Sequence, residues 1–363
     1  MNTDTPGTAL DRGLNELRKR QDALEERNAD LESRVAALEG VSPPVDAVET
    51  KSLDIADIQK AVDKAQDNNL PVLLKDGTGG GKGTVRVTKP VTVFAEGQTF
   101  IEDTDTSREM WERPWLLCEA PEMELYGFTV KGPQKRRESN RAAFFYAPRS
   151  CKLYAHHMVI SEYTGAAFQV RNQVDPLLID QCELEDLWNF EGEDRNMGYG
   201  LALYGDPNTW DKQQNPLARI ERCKGKNVRH LIAINNSGWG RAAHNEIVNT
   251  KDVHGAGLDI HHKGKWKRPG RYLELENNTV ETGWFGAGLR GGTSLVWDND
   301  FTKSGKGGEI GVTSNGDSNK AYWPRVYIWG NKNNDFQLYG GSPQEVANNV
   351  HQGPPDFDWP IAA

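Results

Sequence analysis

The sequence predicts an all-β solenoid, and three observations carry that prediction. Three late segments share one pattern: Val248-Asn249-Thr250-Lys251-Asp252-Val253, Asn277-Asn278-Thr279-Val280-Glu281-Thr282 and Asp298-Asn299-Asp300-Phe301-Thr302-Lys303. Eleven residues after Asn249, Asn278 and Asn299 come Ile260, Leu289 and Ile310, each in β-type local sequence. The Asn residues are unevenly spaced, so a fixed unit alternates with a connection of variable length. Stacked repeats with loops leaving on one side have this signature. Each Asn is expected at one shared corner, where Asn tolerates unusual backbone angles and its amide can bond along the stack.

Residues 1–8 show no pattern. Leu10, Leu14, Leu17, Gln21, Leu24, Asn28, Leu31, Val35 and Leu38 then recur at alternating steps of four and three, an a/d seam of α-helical coiled coil over 9–40. So polar a helix needs partner copies to be stable. Gly40, Ser42, Pro43 and Pro44 end it, and 41–50 reads as a linker. Leu53 to Gln66 is amphipathic, with Ile55, Ile58, Ala61, Val62 and Ala65 on one side. The solenoid is expected over 51–341, with rungs at 115–117, 123–130, 142–146, 152–160, 166–170, 177–184, 199–204, 218–223 and 231–235. Insertions fall at 131–141, 190–198, 206–217, 262–271 and 314–325, and 342–363 reads as an irregular tail. Gly77 to Thr84 lacks the residues of a phosphate-binding loop and reads as a turn between strands.

Asp57-Ile58-Gln59-Lys60-Ala61-Val62, followed by a strand, a glycine turn, two short strands and Gly97, resembles the start of the pectate-lyase-like right-handed parallel β-helix. In that family a short capping helix covers the first rung, which would otherwise expose apolar core and strand edges. Together with the coiled coil, this resembles a virus tailspike or host-binding fibre. The resemblance implies a homotrimer on the virion surface, bound to other virion proteins through its N-terminal region and to a host surface polysaccharide. A non-catalytic adhesive spike and a cellular polysaccharide lyase or glycoside hydrolase are the alternatives.

A formal charge of −9 argues against a general nucleic-acid binder. No apolar run is long enough to span a membrane. With no secretion signal recognised, Cys118, Cys151, Cys182 and Cys223 are expected to be reduced, and Cys182 and Cys223 to stack at matching core positions.

The densest set of titratable groups is Arg229, His230, His254, Asp259, His261, His262, Arg290 and Glu309. The eleven-residue count aligns Asp259, Gly288 and Glu309, and likewise His261, Arg290 and Gly311. Two carboxylates two rungs apart, about 9–10 Å by strand spacing, would suit an inverting hydrolase. His261 or His262 could instead abstract a proton beside a uronate carboxylate neutralised by Arg290. Metal ligation by His254, Asp259 and His261 matches no strong spacing, so neither metal nor cofactor is expected. The plain alternative is an ordinary polar outer face. His230, His254, His262, Lys265, Trp266 and Trp284 are the expected contacts to an anionic glycan, and Trp239 and Trp323 lie in similar surroundings. Glu191, Glu193 and Asp194 form a second acidic patch.

Overall fold

The structure is a computed structural model that describes residues 46–355, apart from 96, 107–112, 134–141, 188–196, 211–217, 251–252, 254, 263–267, 306–309, 315–316 and 341. The heptad segment lies outside the described residues. So do His254, Lys265, Trp266, Glu309 and the acidic patch at 191–194.

Among the described residues the strands form three parallel sheets of twelve, ten and eight strands. Each turn of the solenoid visits them in the order twelve, eight, ten: Lys152–His156, Val159–Ser161, Ala166–Gln173, then back to Leu177–Asp180. Alternation along each strand sends one set of side chains inward. Phe168, Leu201, Ile232, Leu258, Ala287 and Ile310 stack in register in the core.

The twelve-to-eight corner is a tight turn built the same way on rung after rung. Gly127, His157, Gln181, Arg222, His244, Asn277, Asp298 and Gly330 all adopt positive φ, between 48° and 76°. The next residue turns inward: Phe128, Met158, Cys182 and Cys223 in the core cluster, then Asn245, Asn278, Asn299 and Asn331 in a buried amide ladder. Asn278 Nδ2 donates to Asn299 Oδ1 at 2.8 Å, and Asn299 Nδ2 to Asn331 Oδ1 at 2.9 Å. The same oxygens accept the backbone N–H of the residue below, Asn278 at 2.9 Å and Asn299 at 2.8 Å. All four cysteines are free and buried.

The helix is Ile55–Asn68, and it buries Ile55, Ile58, Ala61, Val62 and Ala65. Its half-buried Gln59 caps an edge strand: Oε1 accepts the Arg86 N–H at 2.7 Å, and Nε2 donates to Arg86 O at 3.0 Å. Gly77–Gly81 is a strand of the eight-strand sheet rather than a turn. A Cβ on Gly79 would collide with Leu53 Cβ, so the chain leading into the helix requires glycine there.

Two further expectations need correction. Asn245, not Asn249, stacks with Asn278, because Glu246 pairs with Thr279. Asn249 sits at the far end of that strand, where its Oδ1 accepts the Val228 N–H at 3.0 Å. The solenoid also continues past 341, since Val350–Gln352 pairs with Val326–Ile328 and extends the twelve-strand sheet over the last apolar rung.

Candidate functional site

The long connections share one sheet. Those at 104–115, 132–142, 186–198, 249–257 and 301–309 lead into strands of the ten-strand sheet, and those at 206–217, 261–271 and 313–324 lead out of it. The ten-strand sheet is therefore where sequence has been added to the repeat.

Its outer face carries the row Gln169, Ala202, Ala233, Asp259, Gly288 and Gly311. Leu258 and Ile260 point into the core, so Asp259 points out. Ile260 pairs with Leu289, so His261 and Arg290 follow in the neighbouring column. The eleven-residue count holds between these two rungs and fails at the next. Leu289 pairs with Val312, and Ile310 with Ala287. Gly311 thus takes the place assigned to Glu309, and the connection at 301–309 absorbs the two-residue difference. The Asp259–Glu309 pair has no support in the register. Gly288 beside Asp259 is demanded by close approach, since a Cβ there would stand 2.6 Å from Asp259 Oδ1.

Asp259 is buried and fully engaged. Arg290 Nε donates to Oδ1 at 2.9 Å, and Arg290 Nη2 bonds Oδ2. His261 Nε2 lies 2.7 Å from Oδ2. Burial alone would raise the Asp259 carboxyl, but the Arg290 guanidinium and then His261 outweigh it and hold it well below the usual carboxylate range. Burial and then the Arg290 charge pull His261 down to about 4, so its imidazole is neutral at pH 7. A neutral ring that gives its Nε2 proton to Asp259 leaves Nδ1 as an acceptor.

His230 lies one rung before Asp259, stacked on Tyr199 at 5.5 Å and 13°. Its Nδ1 contacts Ala256 O, which fixes the proton on Nδ1. Its Nε2 is buried and has no hydrogen-bond partner. Burial drives its pKa well below the ordinary histidine value. Arg229 Nη1 donates to the Tyr199 hydroxyl at 3.1 Å. Burial raises the phenols of Tyr199 and Tyr339.

His230, Asp259 and His261 offer ligand atoms within 4.8 Å of one another, a set suited to a divalent transition metal. Arg290 Nη2, bonded to Asp259 and 3.0 Å from His261 Nε2, already places a positive group among them. A metal ion would have to displace it, so the donor set does not fit one.

Of the residues singled out from sequence, the structure gathers Asp259, His261, Arg290, His230 and the half-buried His262, whose ring lies 6.4 Å from that of His261. Trp284 is edge-on to Phe285, and Phe285 packs on Tyr339. Trp239 instead lies in an aromatic cluster on the twelve-strand sheet with Tyr272, Leu295 and Tyr327. Trp323 donates its Nε1–H to Asp317 O at 2.6 Å. Tyr199, Tyr339 and Gln169 escaped sequence reasoning. Tyr199 had a usable signal, since it opens the strand whose neighbour opens with His230.

No family model matches the chain, and no curated protein does. Solved structures similar to it include the Agl-KA catalytic domain, at 11% identity over 86% of this chain and 69% of that one, TM-score 0.41. Another is ORF18 of Geobacillus virus E2, at 13% identity over 87% of this chain, TM-score 0.39. This chain spans 61% of the virus protein.

Proposed function

We propose that the protein is a virion spike or fibre that binds a host cell-surface polysaccharide along the outer face of its ten-strand sheet. One observation carries the reading. That face gathers the long connections and a buried cluster of Asp259, His261, Arg290 and His230, whereas the eight-strand face carries solvated pairs such as Lys224–Glu183 and Lys226–Glu185. A parallel homotrimer through the heptads of 9–40, and right-handed coiling of the solenoid, belong to the same proposal. So does attachment to other virion proteins by the N-terminal region.

Binding is favoured over hydrolysis by the state of Asp259. A carboxylate bonded by Arg290 through two nitrogens cannot readily exchange a proton in an acid–base pair. Cleavage, if present, would rest on His261 as base and give unsaturated uronate ends absorbing in the ultraviolet. Purified surface polysaccharides should be titrated calorimetrically into the full-length protein, and the products chromatographed. Saturable binding without fragments is the expected result. Absence of binding to every polysaccharide from susceptible hosts would end the proposal.

A further inference from the structure

We infer that Cys118 and Cys151 form a dithiol that a small disulfide oxidises to a cystine, a redox-dependent staple between two consecutive rungs of the solenoid. The inference is independent of the polysaccharide reading above.

Both cysteines belong to the corner between the ten-strand and twelve-strand sheets. Cys118 ends the strand Leu116–Cys118, and Cys151 directly precedes the strand Lys152–His156. Leu117 pairs with Tyr146 and Glu122 with Lys152, so the connections 119–121 and 148–151 cross this corner on consecutive rungs. Both side chains are buried in the main core. Their Sγ atoms lie 3.5 Å apart, a contact that leaves no room for another atom between them. Cys151 is held in place from the next rung: its N–H donates to Gln173 Oε1 at 3.4 Å, and Gln173 Nε2 donates to Cys151 O at 3.1 Å. Cys182 and Cys223 also occupy consecutive rungs but are arranged differently. Cys182 Sγ donates to Asp180 O at 3.3 Å, and Cys223 Sγ to Glu221 O at 3.1 Å. The carbonyl contacts of Cys118 and Cys151 are longer, 3.7 Å to Ala120 O and 3.6 Å to Lys152 O. Sulfur faces sulfur in the first pair and backbone carbonyls in the second.

Cys118 is the first nucleophile. A hydrogen bond from Cys151 outweighs burial and holds the Cys118 thiol below the usual thiol range. The Cys118 thiolate attacks one sulfur of the small disulfide, forms a mixed disulfide and expels one small thiolate. Cys151 then gives up its proton and attacks Cys118 Sγ, expelling the second small thiolate. Two protein thiols are oxidised, one small disulfide is reduced to two thiols, and the two protons leave with them. The new bond joins residues 33 apart in the chain, and the loop between them makes one full turn of the solenoid. Closing a loop of that length restricts the unfolded chain far more than the folded one, so the oxidised protein is the more stable form.

The test incubates the full-length protein with excess hydroxyethyl disulfide at mildly alkaline pH. The temperature is set just below the Tm, so that local opening admits the reagent to the buried thiols. The protein is then denatured and alkylated, and its peptides are mapped by mass spectrometry. Cys118 and Cys151 should vanish together from the alkylated pool and be recovered as one linked pair, while Cys182 and Cys223 stay alkylated. The Tm should rise by at least about 3 °C and return to its starting value with dithiothreitol. Cys151→Ala should leave Cys118 as a mixed disulfide with no link and no gain in Tm, and Cys118→Ala should likewise abolish the link. Four thiols still open to alkylation would overturn the inference. So would separate mixed disulfides on Cys118 and Cys151 in the parent protein, or a link between Cys182 and Cys223 in place of the expected one.

Discussion

Asn278 and Gln169 are both buried primary amides on a stack of parallel rungs, and they are treated differently. Asn278 sits at the twelve-to-eight corner. Its Oδ1 accepts from Asn245 twice, at 2.9 and 3.0 Å, and its Nδ2 donates to Asn299 and to Ala242 O. Gln169, on the outer face of the ten-strand sheet, bonds to nothing. At the corner each turn repeats its backbone geometry, so each polar group finds its partner one rung away. On the outer face the connections differ in length from rung to rung, and His230 and Gln169 are left open. Proteins that keep unsatisfied groups give up stability where function needs them. The comparison assigns the corner to holding the fold and sets the outer face apart as the surface proposed for recognition.

The most damaging change to this division is Ile260→Asp. Ile260 is fully buried between Ile234 and Leu289, and a charge there has no partner. The variant is expected only in the insoluble fraction. Soluble, cooperative unfolding of Ile260→Asp would show that Asp259 does not face outward.

Arg290→Met comes next. It strands the Asp259 carboxylate, and breaking a buried pair on one side costs about 3–5 kcal/mol. Asp259 has a folded pKa below its unfolded value, so its contribution is present above the unfolded value, about 3.9, and lost as pH falls through the folded one. Without Arg290 that folded value rises, and acid unfolding should begin at higher pH. Urea unfolding at pH 7 and pH 5 measures both effects.

Asn278→Ala should cost about 2–4 kcal/mol, since it leaves the Asn245 N–H and amide and the Asn299 oxygen short of a partner. The same substitution at Asn249, which stands outside the ladder, should cost about half as much. Equal losses would erase the distinction between the two ends of that strand.

A further effect is graded by pH. His230 and His261 are held neutral in the folded protein, so the unfolded chain takes up protons first as pH falls from about 6.5. Stability should fall between about pH 6.5 and 4, by about 1.4 kcal/mol per unit for each histidine titrating differently in the two states. His261→Gln should flatten the slope. An unchanged slope would mean that the imidazole is not buried beside Arg290.

Much of this was legible in the residues. The capping helix showed its apolar side, most rungs showed their strands, and Cys182 and Cys223 fall at the corner in successive rungs of the stack. Asp259, His261 and Arg290 could be brought together by counting, because Ile260 and Leu289 do pair. The count failed where local sequence offered two equivalent readings. Asn245 and Asn249 flank the same three-residue strand, and only hydrogen-bonded register separates them. It failed again at Glu309, because the connection before Ile310 differs in length and nothing local fixes where the strand begins. Gln169 was invisible, since a glutamine in a strand says nothing about whether its amide will find a partner.

The division between corner and face is tested most directly by binding to two variants that both retain a cooperative melt. Tyr204→Ala alters the outer face of the ten-strand sheet. Trp329→Ala alters the twelve-strand sheet, where Trp297 and Trp329 stack at 5.3 Å and 2° and cover each other's faces. Calorimetric titration with a surface polysaccharide that the parent binds should show Tyr204→Ala weakened at least ten-fold and Trp329→Ala changed less than two-fold. The reverse pattern would move recognition to the twelve-strand sheet and contradict the account.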